Sequence, residues 1–276
     1  MLKKKVQELK LCNVKSYNKY IKKVNHHNLF FHLRDYHKNI KLLFLKKYCQ
    51  NMDLIIDVGS SQLKSMPFWK ECNIQKVIAM EPSKDLYQVG MKHLKRDFYG
   101  KSHVTFLQAS GEENWNNGNA GLNDFSKKYL KNMFENGLKA NAMTFEFTFH
   151  YMIYKMNQLM RNIDTYTKNG SIVIIHCIDG NFLIDYYEKN NNKNKSISKK
   201  MNLKKVNIYF KGAQGLNNVV SEYIVMEEDI IREFKKYGFK MLEKTGFIKQ
   251  NHKDFDLEEY ELNVSKLYTS YVFQKI

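Results

Sequence analysis

Short apolar runs alternate along the chain with stretches of helical periodicity. From about residue 5 to 50, charged and apolar side chains mix at three-to-four spacing without Gly or Pro, so a helical extension is expected, with Leu33, Ile40, Leu43 and Phe44 on one face. Asp53–Gly59 is a short apolar run closed by Gly, the signature of a buried parallel strand. Strands are also expected at Lys76–Glu81 and His103–Gln108, with a helix opened by Pro82-Ser83 and running to about Phe98. Ser110–Gly121 is rich in Asn and Gly and reads as loop, followed by a helix over 122–137. A fourth strand falls near Ala142–Phe147, a helix near 153–168, and a fifth strand over Gly170–His176.

Strands separated by helices of this size make βαβ units, hence a parallel sheet with helices on both faces. The rhythm breaks after residue 180. Lys189–Lys200 is a polar run read as an exposed loop, and Val206–Phe210 with Val219–Val225 reads as an inserted strand pair. A helix over Glu227–Tyr237 precedes two last strands, Phe239–Lys244 and Leu267–Gln274. No helix is expected between them, which suggests an antiparallel hairpin at the sheet edge. The expected fold class is α/β: a Rossmann-like sheet of seven strands with an antiparallel last strand, an N-terminal helical extension and a small inserted strand pair. As one domain over 1–276 it divides into the extension (1–50), a ligand-binding core (51–180), a loop with inserted strands (181–226) and a closing helix and hairpin (227–276).

Composition changes this picture in one respect. Lys and Arg number 45 against 28 Asp and Glu, a net charge of +17, spread along the chain like a polyanion-facing surface rather than a basic tail. Abundant Lys and Asn, as an AT-rich genome would encode, give a blander source for the same excess. The aromatic fraction of 14% and hydrophobic fraction of 43% exclude a disordered chain, and 2 Pro exclude a linker-rich one. Cys12, Cys49, Cys72 and Cys177 form no C-x-x-C pair, which points to reduced thiols and away from a zinc ribbon. No apolar signal core follows Met1–Lys5, and no run approaches the roughly 18 apolar residues of a membrane span, so a soluble intracellular protein is expected.

In open α/β sheets ligands lie beyond the carboxyl ends of the strands. Here the first strand ends Asp57-Val58-Gly59-Ser60-Ser61, and the second ends in Glu81 about 20 residues on. A small residue admits a ligand close to the backbone, and the acidic residue can accept both ribose hydroxyls. An ordinary strand-to-helix turn with an exposed Glu would read the same way. Gly59-Ser60-Ser61-Gln62-Leu63 lacks both the P-loop Lys-Ser and the G-x-G-x-x-G spacing, which disfavours phosphate and leaves a ribose-bearing ligand without pyrophosphate. S-adenosylmethionine is the common one. The closing antiparallel strands resemble those of the S-adenosylmethionine-dependent methyltransferases and differ from those of dinucleotide dehydrogenases.

Four further segments carry a more specific resemblance. They are Leu33–Lys41, Phe145-Glu146-Phe147-Thr148-Phe149-His150-Tyr151, Ser221-Glu222-Tyr223-Ile224-Val225 and Tyr268–Lys275. In order and spacing they resemble motifs of the mRNA cap guanine-N7 methyltransferases, in particular the methyltransferase domain of capping enzymes of large cytoplasmic DNA viruses (poxvirus and asfarvirus type). Asp229–Phe239 fits the viral members too.

The resemblance implies S-adenosylmethionine as cofactor, with Lys41 at its carboxylate, Asp57, Gly59 and Glu81 at its loop and ribose, Gln108 and Ser110 near the adenine, and Phe145 lining the site. It places His150, Tyr151, Glu222 and Tyr268 around the cap guanine, with His37 and Glu146 as additional members. The sequence departs from the family pattern at four places. The family's Gly-Cys-Gly-x-Gly loop is Gly59–Leu63 here, Glu81 and Gln108 both replace Asp, and Glu146 replaces Gln.

Guanine N7 has a free lone pair and the leaving thioether is neutral, so neither general base nor acid is needed and no metal is expected. Proximity and alignment supply the catalysis, worth roughly 7–11 kcal/mol. Glu222 can accept from guanine N1–H and the N2 amine together, though a solvated edge-strand Glu is the plainer reading. Likewise His150 can be a structural histidine, Lys41 a solvated lysine, and most of the 18 Tyr packing residues. Lys22, Lys23, Arg34 and Lys38 are candidates for the cap triphosphate and following RNA phosphates.

The implied partner is 5′-capped mRNA; viral members often carry triphosphatase and guanylyltransferase domains on the same polypeptide, and some poxviral members require a stimulatory subunit, a need the sequence leaves open. The implied location is the host cytoplasm, in viral factories or packaged in the virion. No membrane partner is expected, and no Lys-x-Asp-Gly nucleotidyl-transfer motif is present. Two other readings remain: methylation of another RNA site such as ribose 2′-O, and a degenerate cap- or RNA-binding module.

Overall fold

The computed structural model describes residues 31–190, 205–208, 220–250 and 252–276. Helix α1 (Phe31–Tyr48) leads into the parallel strands β1 (Ile55–Val58), β2 (Val77–Met80), β3 (Val104–Leu107), β4 (Ala140–Glu146) and β5 (Thr167–Ile178). Helices α2 (Met66–Glu71), α3 (Lys84–Arg96), α4 (Phe98–His103), α5 (Asp124–Glu135) and α6 (Met156–Thr165) form the crossovers, and α7 (Gly180–Asn190) follows β5. Strands β6 (Lys205–Ile208) and β7 (Val220–Tyr223) make a separate antiparallel pair. Helix α8 (Glu227–Lys236), β8 (Phe239–Gly246), α9 (Glu259–Ser265) and β9 (Tyr268–Lys275) close the chain.

The main sheet has seven strands in the order β3-β2-β1-β4-β5-β9-β8. The first five are parallel, and β9 inserts antiparallel between β5 and β8. The expected Rossmann-like seven-stranded sheet with an antiparallel last strand is therefore present. The direct hairpin is not. A short helix, α9, and two 3-10 turns separate the closing strands, although β8 and β9 still pair antiparallel as direct neighbours at the sheet edge. Helix α7 occupies the start of what reads as loop in the sequence: Asp179 supplies its cap, accepting the Asn181 and Phe182 amides at 3.0 and 3.1 Å. Helices α2 and α4, each of six residues, are also additions to the expected elements. The extension expected over 1–50 is described only from α1, and the Lys189–Lys200 loop lies mostly outside the described residues.

Alternation along the strands divides the core into two layers. One face carries Ile55, Val77, Ala79, Phe106, Ala142, Ile172, Ile174 and Val272 against Tyr36, Ile40, Phe44 and Leu45 of α1. The other carries Ile56, Val58, Ile78, Met80, Met143, Phe145, Val173, Ile175, Tyr271 and Phe273 against Leu159, Met160 and Ile163 of α6 and Ile230 and Phe234 of α8. Continuous four-residue burial in β1 and β2 reflects a sheet covered on both sides. Helix α1 is fixed further by Glu261 of α9, a buried carboxylate that accepts the Leu33 amide at 3.0 Å.

Candidate active site

The strand order reverses between β1 and β4, so the crevice at their carboxyl ends is the switch point of the sheet. Continuing the period of two along the α1 face beyond Ile55, Ala79, Ala142 and Ile174 puts Asp57, Glu81, Thr144, Glu146 and His176 at this rim. Ser270 and Tyr268 of β9 complete it, and α1 lays His37 and Lys41 across it.

Asp57 is buried, and Thr144 Oγ1 donates to its Oδ1 at 2.5 Å. Burial and the neighbouring Glu146 raise its pKa to about 6. Glu81 is also buried, and burial again raises its pKa. Its two oxygens accept the amides of Ser61 (2.9 Å) and Ser83 (2.8 Å), leaving lone pairs for further donors. Lys41 Nζ pairs with Glu146 Oε2 at 2.7 Å and sits 5.1 Å above the Phe147 ring. His176 lies 3.9 Å from Glu146 through Nε2 and shares a hydrogen bond with Ser270 Oγ through Nδ1 at 2.9 Å. His37 is bonded to Ser265 Oγ at 3.0 Å and packed among Phe147, Phe247 and Tyr268. Burial holds both histidines neutral, with pKa lowered to about 3.

The loop after β1 bears on the departure from the glycine pattern. Gly59, Ser61 and Leu63 have φ of +82°, +51° and +60°. The alternate positions therefore keep left-handed backbone although only one is Gly, at about 1–3 kcal/mol of strain for each non-Gly residue. Leu63 buries its side chain among Met66, Trp69 and Phe106, and Ser61 presents its amide to Glu81. At Gly59 a Cβ would overlap the Thr148 methyl, whose hydroxyl donates to the Val58 carbonyl at 2.7 Å.

Gln108 and Ser110 follow β3. Asn123 Nδ2 approaches Gln108 Oε1 at 3.4 Å, and Ser110 is buried, its carbonyl accepting Trp115 Nε1–H at 3.1 Å. Phe145 is not brought to this group: it points to the opposite sheet face and packs edge-on against Phe149 in the core.

On the other side of the rim, residues 149–151 form a 3-10 turn with His150 buried and Tyr151 half exposed. Burial lowers the His150 pKa to about 3. Tyr154 stacks on Tyr223 (centroids 6.0 Å apart), which draws β7 and the backbone of Glu222 alongside this turn. Tyr268 meets Phe147 edge-on at 5.2 Å. The Glu222 side chain and Lys22 and Lys23 lie outside what the structure describes. Arg34 is exposed, and Lys38 pairs with Asp35 at 2.7 Å.

Thr144, Phe147, Thr148 and His176 join this group although the sequence assigns none of them a role. Counting by twos from Glu146 would have found Thr144, and His176 ends an apolar run at a position equivalent to Asp57. The +61° φ of Phe147, which turns its ring under Lys41, leaves no trace in the letters.

Among the described residues, no group of three or more His, Cys, Asp or Glu could hold a metal ion, Cys49, Cys72 and Cys177 are free and buried, and no helix is long and apolar enough to cross a membrane.

The same fold recurs in solved structures. An S-adenosylmethionine-dependent methyltransferase from Listeria monocytogenes is 13% identical, with TM-score 0.59 over 88% of this chain and 99% of that one. One from Clostridium acetobutylicum is 10% identical, with TM-score 0.53 over 94% and 98%. A glycopeptide N-methyltransferase, solved with S-adenosylmethionine and with sinefungin, is 8% identical, with TM-score 0.55 over 87% and 94%. The fold is that of the S-adenosylmethionine-dependent methyltransferases. No protein-family model matches the sequence. Among curated proteins, the mRNA-capping enzyme catalytic subunit of Fowlpox virus (strain NVSL) is 24% identical over 190 residues, covering 56% of this chain. The match spans 22% of that subunit's length.

Proposed function

We propose that this protein is an S-adenosylmethionine-dependent methyltransferase that acts on N7 of the guanine cap of mRNA. The observation that carries the cofactor assignment is the set of carboxylates on neighbouring strand ends, Glu81, Asp57 and Glu146, with Lys41 facing them at the switch point. Their chemistry fits the ligand. The free lone pairs of Glu81 suit ribose hydroxyls, Asp57 suits the methionine ammonium, and Lys41 suits its carboxylate. Gly59 suits close approach of the backbone, and Gln108 and Ser110, just past β3, suit the polar edge of an adenine. The substrate assignment is supported by the cap-methyltransferase motifs and by the likeness to a viral mRNA-capping subunit.

When bound, the cofactor supplies an electrophilic methyl group. The protein's part is to hold guanine N7 in line with it and to balance charge. Glu222 would read N1–H and the N2 amine, His150 would bond O6 or the cap sugar, and Tyr151 and Tyr268 would border the base. Arg34, Lys38 and lysines such as Lys22 and Lys23 would meet the phosphates, in keeping with the +17 charge. In this reading residues 51–180 are the cofactor core and 181–226 the cap side. Capped mRNA is the partner, together with triphosphatase and guanylyltransferase domains of a larger capping enzyme, in the host cytoplasm.

Incubation with labelled S-adenosylmethionine and GpppG- or GpppA-capped RNA should yield 7-methylguanosine. Cofactor binding without transfer to N7 would remove the substrate assignment. Transfer to ribose 2′-O would replace it with another RNA site.

A further inference from the structure

We infer that Glu146 is a specificity-determining residue that makes the site prefer a cationic S-adenosyl ligand over the neutral thioether left after methyl transfer. The inference rests on the S-adenosylmethionine reading above and concerns which charge state of that ligand is held.

Asp57 and Glu146 flank the crevice where the sheet order reverses, since β1 and β4 are direct neighbours paired through Asp57↔Thr144. Thr144 donates to Asp57, and Glu146, two residues on, points to the same face and is just 7% exposed at its side chain. Glu81 ends the next strand over. Against these three carboxylates the described residues of the rim set the part-buried Lys41, held by Glu146 at 2.7 Å. His37 and His176 are buried among aromatic rings and contribute no positive charge. Lys64, Arg34 and Lys38 lie beyond Lys41 but are exposed, where solvent and salt screen them, and Lys38 is paired with Asp35.

The rim therefore carries an excess of negative charge in a desolvated crevice. S-adenosylmethionine brings a sulfonium, an ammonium and a carboxylate, and so a net positive charge. S-adenosylhomocysteine keeps the last two and is neutral overall. Their contacts to Lys41, Asp57 and Glu81 are otherwise the same, so the difference in binding reports the field at the sulfur. Glu146 supplies a charge that the amide usual at this place in the cap methyltransferases would not. A gain on the charged ligand and none on the spent one would aid exchange of product for fresh cofactor.

The test is calorimetric titration of the wild-type chain and Glu146→Gln with S-adenosylmethionine, sinefungin (an ammonium in place of the sulfonium) and S-adenosylhomocysteine. The wild type should bind both cationic ligands at least tenfold more tightly than S-adenosylhomocysteine. Glu146→Gln should shrink that ratio by about threefold to tenfold, as expected for one charge removed from a partly screened site. An unchanged ratio in a folded variant overturns the inference. If the variant does not fold, equal affinity of the wild type for sinefungin and S-adenosylhomocysteine overturns it alone. Failure of all three ligands to bind would instead remove the cofactor reading on which it rests.

Discussion

Oε2 of Glu81 accepts the backbone N–H of Ser61 across 2.9 Å, tying the end of β2 to the loop that follows β1. The same carboxylate takes the Ser83 amide through Oε1 at 2.8 Å. The carboxylate expected at a ribose thus also shapes the loop that follows β1. Glu81→Gln keeps one acceptor oxygen and turns an NH2 toward the other amide, leaving a buried donor unpaired at a cost of about 1–3 kcal/mol. Thermal unfolding should shift down accordingly, and titration should show S-adenosylmethionine affinity lowered at least tenfold. An unchanged melting temperature would mean that the two amides do not depend on the carboxylate.

The left-handed residues of that loop should respond oppositely to glycine. Ser61→Gly relieves left-handed strain at a part-buried polar site and should stabilise the fold by roughly 0.5–1 kcal/mol. Leu63→Gly relieves similar strain but removes a buried side chain, whose loss costs ~3–5 kcal/mol for Leu→Ala, so the net should be clearly destabilising. Urea denaturation of both variants checks the pair. Destabilisation by Ser61→Gly would show that the serine side chain contributes more than its backbone costs.

These positions show what the sequence makes legible. Short apolar runs ending at Gly59 and Glu81 disclose buried parallel strands and the rim they lead to, because burial on both faces demands continuous apolar residues. The loop letters Gly-Ser-Ser-Gln-Leu hide the fact that the backbone still turns as a glycine loop would, since tertiary packing of Leu63 overrides local preference. Phe145 illustrates the limit of motif reasoning: strand alternation sends it to the opposite layer from Glu146, a consequence of period two that a linear motif does not encode. Helix α9 is hidden for another reason. Its capping box, Glu258 with Glu261, uses Glu at the N-cap instead of Ser or Thr, so the usual start signal is absent.

Acid should unfold the protein steeply. His37, His150 and His176 have pKa values lowered to about 3 from 6.5 by burial, so their contribution is complete above pH 6.5 and is lost as pH falls toward 3. Asp57, raised from 3.8 to about 6, works the other way: its protonated form favours the fold, and that contribution is lost as pH rises through 6. Glu81 is shifted in the same direction. With three histidines outweighing these carboxylates, stability near pH 5 should fall by roughly 2 kcal/mol for each pH unit of acidification. Denaturant titrations at pH 7, 6 and 5 measure this slope. A flat profile would show that the histidines are not held neutral.

Asp57→Asn separates stability from ligand binding. At pH 7.5 the wild-type carboxylate is ionised in a buried site beside Glu146, whereas Asn can accept the Thr144 hydroxyl without the charge. The variant should be more stable by about 1–3 kcal/mol and bind S-adenosylmethionine more weakly, since the ammonium loses its ionic partner. Wild-type affinity should itself decline as pH drops through about 6. Loss of stability together with unaltered affinity would assign Asp57 to structure alone.

Glu222 provides the most direct test of base recognition. Strand β7 carries its backbone beside the turn of His150 and Tyr151, held there by the Tyr154–Tyr223 stack, at a distance along the chain from every residue assigned to the cofactor. A site built to accept two guanine donors rejects a base that lacks them, and loses comparable energy when the acceptor is deleted. Glu222→Ala should therefore lower transfer to capped RNA at least a hundredfold while S-adenosylmethionine affinity changes less than twofold. Glu222→Gln, which keeps one acceptor oxygen, should recover part of the loss. Raising salt should weaken capped-RNA binding by wild type and variant alike, because the phosphate contacts proposed for Arg34 and the lysines do not involve Glu222. Equal loss of cofactor binding and methyl transfer in Glu222→Ala would place the residue in the fold rather than at the guanine.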